Sequence, residues 1–402
     1  MSHTLRSLLA LLVSVAALIG VGCQSVPLPK ARPVTRAMWV TRFDYQTPQD
    51  IERIAESCKL AGCNTILFQV RGNATAFYRS SYEPWAEQFN FADPGFDPLA
   101  VAIEAARKRD LRLHAWVNVM PGWWGSTPPS DPKQLYNKKP EWFWYDQQGE
   151  RQPLASRFYV SVNPCLPEVR EYLVDVIEDI VGRYPIDGVH LDYIRLPNDE
   201  IKGVTKLGAD YPRDRETVAL FRAETNFTPD ANPQAWDDWR AEQITKLVRD
   251  TRRMIDRTKP YIELSAAVGP VPEKAKREHF QDVSTWIDMG LLDAVYPMNY
   301  SQDRSTFNER LAAWRPVAKD VPVVMGVEVE NNVQLSANQL EASLRGFRGY
   351  AIFAYSSLFD SPNTTLDDQS EAAREARQTR RKAMMPYLQE LSRSGAAAGR
   401  DY

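Results

Sequence analysis

The sequence predicts an α/β fold, a (β/α)8 TIM barrel with long loops after strands 3 and 4. Three observations carry the expectation. Eight β-rich apolar runs are spaced along the 402-residue chain, helical patterns fill the gaps between them, and the runs end in polar groups. An open doubly wound sheet is the alternative. It is weakened because no GxGxxG phosphate loop follows the first strand-like run, where that fold usually keeps one.

The strand-like runs are 35–42, 64–71, 112–119, 187–195, 262–268, 293–300, 322–328 and 349–355. Thr47 is placed to cap a helix with Pro48 in its first turn and Gly62 at its end, and Asp97 does the same ahead of Pro98. Further helices fit 167–183, 232–257, 282–290, 307–318 and 336–346. Pro185 stops the first of these before Ile186-Asp187-Gly188 turns the chain into the fourth strand. The barrel domain is expected over 35–393, closed by a helix from about Glu371, with a disordered tail over 394–402. Two connections are long. Residues 120–163 carry Trp123, Trp124, Trp142, Trp144 and Tyr145, which suit either a small sub-core or stacking on sugar rings, and 196–231 is polar and punctuated by Pro and Gly.

Arg6 precedes the apolar run 8–22, which is short for a membrane span and fits a secretory signal. The run ends at Cys23, whose setting resembles the lipobox of bacterial lipoproteins, although Gly20 departs from the usual aliphatic residue there. The expectation is a signal peptide over 1–23, a linker over 24–34, and export to the bacterial cell envelope. The protein would be held there by a lipid on Cys23, on the periplasmic side or the cell surface. Cys58, Cys63 and Cys165 are read as small buried hydrophobes. With four histidines and none at ligand spacing, the sequence points to no metal and no cofactor. A net charge of −3 with interspersed signs excludes nucleic acid as the general partner.

In a barrel of this kind the chemistry gathers at the carboxyl ends of the strands. Those ends here offer Arg42 and Asp44, Gln69 and Arg71, Asn118, Asp192 and Arg195, Asn299 and Asp303, Glu328, and Ser356, all expected to face one cleft. Aromatic neighbours join them as substrate contacts: Trp116, Tyr193, Tyr296, Tyr300 and Tyr355. The segment DGVHLDYIRLP (187–197) is the most informative, because it delivers Asp192 at the tip of an apolar strand.

The motifs RAMWVTR, FQVRGNATAFYRSSYEPW, FDPLAVAIEAARKRDLRLHAWVN and DGVHLDYIRLP occur in order over roughly 35–360 and resemble the glycosyl-hydrolase-like family ten proteins. The resemblance implies a TIM barrel, often on a lipoprotein, that cleaves glycan chains of the cell envelope, peptidoglycan glycan among them. It assigns Asp192 the position of the catalytic carboxylate. DGVHLDYI is also similar to the fourth-strand motif of family 18 chitinases, but Ile194 stands where those enzymes keep their acid.

Hydrolysis of a glycosidic bond needs an acid for the leaving oxygen and a second carboxylate for the sugar or its attacking water. Asp192 suits the second role, as nucleophile or base. Glu328, at the end of a Val/Met/Gly strand, is the first choice for the acid, Asp303 the alternative and Glu330 a weaker third. The expected function is therefore glycoside hydrolysis of a polysaccharide. The competing class is a non-catalytic glycan-binding barrel of the envelope; a phosphate- or metal-dependent hydrolase lacks evident ligands.

Overall fold

The computed structural model describes residues 34–196, 209–362 and 369–398. The signal-peptide expectation, with Cys23, and all but Val34 of the linker lie outside these residues. Ten strands are present among them: β1 (Thr35–Val40), β2 (Thr65–Arg71), β3 (Arg112–Asn118), β4 (Pro121–Gly125), β5 (Ala155–Ser161), β6 (Gly188–Asp192), β7 (Glu263–Val268), β8 (Ala294–Pro297), β9 (Met325–Glu328) and β10 (Gly349–Phe353). Eight of them form one parallel sheet in the order β8-β7-β6-β3-β2-β1-β10-β9. The two ends of that sheet meet. The Val295 N–H donates to Pro322 O at 3.0 Å, the Val324 N–H to Val295 O at 2.9 Å, and Met298 bridges Gly326. The sheet is thus closed into the expected barrel. β8 and β9 are shorter than the runs that predict them, because Pro297 and Pro322 each remove a ladder donor.

The helices are α1 (Pro48–Leu60), α2 (Pro98–Arg107), α3 (Leu135–Lys138), α4 (Pro167–Arg183), α5 (Arg215–Thr225), α6 (Pro233–Thr258), α7 (Pro272–His279), α8 (Val283–Asp288), α9 (Arg304–Ala318), α10 (Val333–Gly346), α11 (Tyr355–Leu358) and α12 (Glu371–Ala398). Their starts follow the capping chemistry. Thr47 Oγ1 accepts the Asp50 N–H while the Asp50 carboxylate accepts the Thr47 N–H, a closed capping box, and Asp97 accepts the Ala100 N–H. α4 buries Val169, Leu173, Val176, Ile177, Ile180 and Val181 on one face, each contributing about 1.5–3 kcal/mol of apolar burial. α12 runs to Ala398, its alanines carrying the helix past Gly395, whose cost is about 1 kcal/mol.

Alternation sends every second strand residue into the barrel. Ala37, Trp39, Leu67, Trp116, Ala294, Tyr296, Val324 and Ala351 form the apolar part of this interior. A polar thread crosses it: Trp39 Nε1 donates to His190 Nε2 at 3.0 Å, which leaves the proton on Nδ1 for Ser265 Oγ, 3.0 Å away. Burial, and next the neighbouring His114, hold His190 well below the usual imidazole range, in keeping with a neutral ring. Gly188 is required beside this layer, since a Cβ there would stand 2.6–2.7 Å from the His114 ring.

The β1 end of the barrel is tied to the last connection by Asp44. Its carboxylate accepts the Thr41 N–H at 2.6 Å, the Thr41 hydroxyl at 2.9 Å and the Ser361 hydroxyl. Burial outweighs these bonds and raises its pKa to about 6 from the ordinary 3.8. A raised folded-state value means that the buried acid favours the native state at low pH and loses that contribution as pH climbs through about 6. Asp44→Asn should accordingly flatten the fall in unfolding free energy between about pH 4 and 7 by about 2–3 kcal/mol, at roughly 1.4 kcal/mol per pKa unit. Urea titrations of both proteins across that range would show parallel pH profiles if Asp44 were not responsible.

Candidate active site

A cleft of about 450 Å³ opens at the carboxyl ends of the strands. Trp39, Trp116, Met298 and Phe353 form much of its floor and wall; Thr41, Arg42, Phe43, Gln69, Asn118, Tyr159, Asp192, Tyr193, Arg195, His279 and Tyr300 supply its polar and aromatic groups. Asp192 is the last residue of β6 and pairs in register with Asn118 of β3. Its Oδ1 accepts the N–H of Tyr193 at 2.6 Å, and the Asp192 carbonyl accepts the Val119 N–H at 2.8 Å. Tyr193 takes a left-handed conformation, φ +48°, which is sparsely populated for a residue with a side chain and turns the chain sharply after the carboxylate. Its ring is met edge-on by Tyr159 at 5.1 Å and covered by the Arg195 guanidinium at 4.8 Å.

The opposite wall is aromatic. Tyr300 stacks on Phe353 at 4.9 Å, and Trp39 meets both edge-on. Burial raises the Tyr300 phenol well above its usual range, and the negative charges of Asp192 and then Glu328 raise it further. Glu328 is aligned with Phe353 across the β9–β10 ladder and has the same inward parity as Gly326, whose Cβ would meet Trp39 and Tyr300. Burial, with the charge of Glu330 second, raises the Glu328 pKa. Glu330 itself is exposed.

Arg42, Gln69, Trp116, Asn118, Asp192, Tyr193, Arg195 and Tyr300 are therefore brought together. Other expected cleft residues lie elsewhere. Arg71 is fully buried in an ion pair with Glu83 at 2.7 Å and donates to the carbonyls of Asn118 and Val119, so it pins loops instead of reaching a ligand. Tyr296 is two residues deeper in the barrel than Met298, with its ring 4.8 Å from His190. Asn299 points out of the barrel and donates to Phe307 O at 3.0 Å. Asp303 is exposed and caps α9 through the Thr306 N–H at 2.7 Å. That bond lowers its pKa, the wrong direction for a proton donor near neutrality. Tyr355 packs on Phe359 at 5.0 Å and is not among the residues that line the cleft. Asp44 is committed to the tie already described, and Ser356 falls within α11, outside the cleft lining.

The cleft also contains residues that strand-tip reasoning passes over. Tyr159 comes from the antiparallel β4–β5 hairpin inside the long 120–163 connection, where Trp124 pairs with it in register. Most of that connection is a sub-core: Trp123 and Trp144 are buried and donate to Thr127 O and Val162 O. Trp124 is the exception. It is exposed and meets Phe43 at the cleft edge, 6.2 Å between ring centroids. The signal for Tyr159 was the alternation of Phe158, Val160 and Val162, which makes a strand of that stretch.

The glycosyl hydrolase-like 10 family model matches residues 34–335, a span that contains β1 to β9 and the Asp192 strand tip. The chain belongs to the glycosyl hydrolase-like 10 family. Among curated proteins it is similar to the glycosyl hydrolase YngK of Bacillus subtilis, 26% identical over 73% of this chain and 60% of the relative. It is equally similar to the glycosyl hydrolase DigH of Escherichia coli K12, 26% identical over 73% of this chain and 65% of the relative. The chain thus spans 60–65% of the length of these relatives. Its fold is shared with solved glycosidase structures. A Paenibacillus thiaminolyticus α-L-fucosidase isoenzyme aligns with TM-score 0.62 and 14% identity over 92% of this chain and 50% of its own. The PgaB glycoside hydrolase domain of Bordetella bronchiseptica aligns with TM-score 0.60 and 12% identity over 86% and 98%.

The Arg71–Glu83 pair gives a test of the scaffold. Glu83→Gln leaves the buried guanidinium uncompensated and should cost about 3–5 kcal/mol of stability. Guanidinium-chloride unfolding that finds a loss below about 1 kcal/mol, the range of an exposed pair, would show that Arg71 recovers a partner or water.

Proposed function

We propose that this family member is a glycoside hydrolase acting on a polysaccharide of the bacterial cell envelope, peptidoglycan glycan strands, with Asp192 and Glu328 as its carboxylate pair. The observation that carries the reading is the placement of Asp192 at the tip of β6 in a cleft walled by aromatic rings, with Glu328, half-buried at the end of β9, aligned with the cleft residue Phe353. The two acids differ in the way the chemistry needs. Asp192, at the polar strand tip, serves as nucleophile or as base for water. Glu328, raised by burial and by Glu330, holds its proton to higher pH and delivers it to the leaving oxygen. Tyr300 and Phe353, half-buried in the cleft wall, offer ring surface to the C–H side of a sugar, and Gln69, Asn118 and Arg195 offer hydrogen-bonding groups for hydroxyl and acetamido substituents. The exposed Trp124 extends this surface for a further sugar unit.

The envelope location rests on the sequence: the apolar run 8–22, and Cys23 as the residue that would carry a lipid and hold the barrel at a membrane. No helix among the described residues is long and apolar enough to cross a membrane.

Asp192→Asn should lower kcat on purified glycan strands by a factor of about 10³ or more, and Glu328→Gln by about 10²–10⁴ with loss of the alkaline limb of the pH–rate profile. Turnover is read by reducing-end release. A wild-type rate in Asp192→Asn would remove that residue from the mechanism, and a wild-type protein that binds the strands without releasing ends would make this a glycan-binding barrel. Trp124→Ala should raise KM by about tenfold on long chains and leave disaccharide-unit substrates unaffected.

A further inference from the structure

Among the described residues, four arginines are more than nine-tenths buried: Arg42, Arg71, Arg240 and Arg377. Three have a carboxylate partner, Arg71 with Glu83 at 2.7 Å, Arg240 with Asp210 at 2.6 Å and Arg377 with Asp360 at 3.1 Å. Arg42 forms no ion pair with any described residue, and it is the one of the four that lines the cleft. Its single side-chain hydrogen bond is from Nη1 to the Tyr159 hydroxyl at 3.0 Å, and its buried Nε has no partner. Phe43 covers the guanidinium at 4.3 Å and Tyr159 flanks it at 5.7 Å. Gly72 makes room on another side, where a Cβ would come within 2.6–2.7 Å of Cδ, Nε and Cζ. The nearby Glu87 feels the Arg42 charge but is solvent-exposed and not paired with it.

A desolvated guanidinium without a counter-charge is costly, and proteins rarely keep one except where a ligand supplies the anion. The Nε and Nη2 atoms share the edge of the guanidinium opposite the Tyr159 bond, and two N–H groups on one edge match the two oxygens of a carboxylate. We propose that Arg42 receives a carboxylate carried by a sugar of the substrate, so that the cleft selects an acidic glycan. The inference rests on the cleft being the glycan site proposed above. The carboxylate has two chemical sources, an ether-linked lactyl group on an N-acetyl sugar or the C6 of a uronic acid, and the Arg42 chemistry is the same for both.

The test is a calorimetric binding comparison on the full chain carrying Asp192→Asn, which keeps oligosaccharides intact. The ligands are an N-acetylglucosamine–N-acetylmuramic acid oligosaccharide, the same oligosaccharide with its carboxyls reduced to alcohols, and an oligogalacturonate. The expected result is roughly tenfold or more tighter binding of the acidic muramyl glycan than of its reduced form, the scale of one charge-assisted bidentate contact. Adding Arg42→Gln, or in a separate protein Gly72→Ala, which crowds the guanidinium without removing its charge, should abolish that preference while the reduced glycan still binds. Preference for the oligogalacturonate assigns the carboxylate to a uronic acid, upholding Arg42 and counting against peptidoglycan. Equal binding of the acidic and reduced muramyl forms by the parent protein together with no preference for the oligogalacturonate, or a preference for an acidic glycan that survives both added substitutions in folded protein, overturns the inference. Because binding is the readout, a wild-type protein that proves inactive sinks the hydrolase reading without touching this one.

Discussion

Closure of the sheet between β8 and β9 is the constraint on which the rest of this molecule depends. The backbone bonds of Val295 with Pro322 and Val324 bring the two ends of the parallel sheet together. Without them, β6 and β9 would be far apart in an open sheet, and Asp192 and Glu328 would have no common neighbour. With them, Tyr300 on the β8 side, Phe353 on β10 and Trp39 on β1 meet in one aromatic wall. The closing strands are short, and two prolines limit their ladder, so the interior packing of Trp39, His190 and Tyr296 supports a joint that has few hydrogen bonds of its own.

Period-two alternation then divides residues between structure and site. Along β6, His190 faces inward and is consumed by Trp39 and Ser265, while Asp192, one alternation further, emerges at the cleft. Along β8, Tyr296 is interior and Met298 reaches the cleft by the same step. Arginine follows a similar division. Arg71 is buried and paired with Glu83, which makes it a clamp, whereas Arg42 is buried and has no ion-pair partner among the described residues.

Much of this was legible in the sequence, and the reasons for the rest are physical. Strand runs, helix caps at Thr47 and Asp97, and the Asp192 tip follow from local chemistry, and the structure has all of them. Depth within the barrel is not local: nothing near Tyr296 or Arg71 says that one lies a layer too low and the other meets Glu83, twelve residues away. Asp303 read as a cleft acid, but an aspartate three residues before Thr306 is also an N-cap, and the cap won. α5, α7 and the β4–β5 hairpin were missed because they occupy connections where Pro, Gly and polar residues mask short periodic stretches. Ile194, at the position two after Asp192, is buried and is not among the residues that line the cleft.

The central claim is that a glycan lies across this cleft with its scissile bond between Asp192 and Glu328. A crystal structure of the Asp192→Asn protein with a bound envelope-glycan oligosaccharide tests it most directly. The expected result is sugar rings on Tyr300 and Phe353, the glycosidic oxygen within hydrogen-bond reach of Glu328, and the anomeric carbon facing residue 192. An oligosaccharide seated instead in the separate pocket of Lys133, Lys138, Lys139 and Trp142, with this cleft empty, would contradict it.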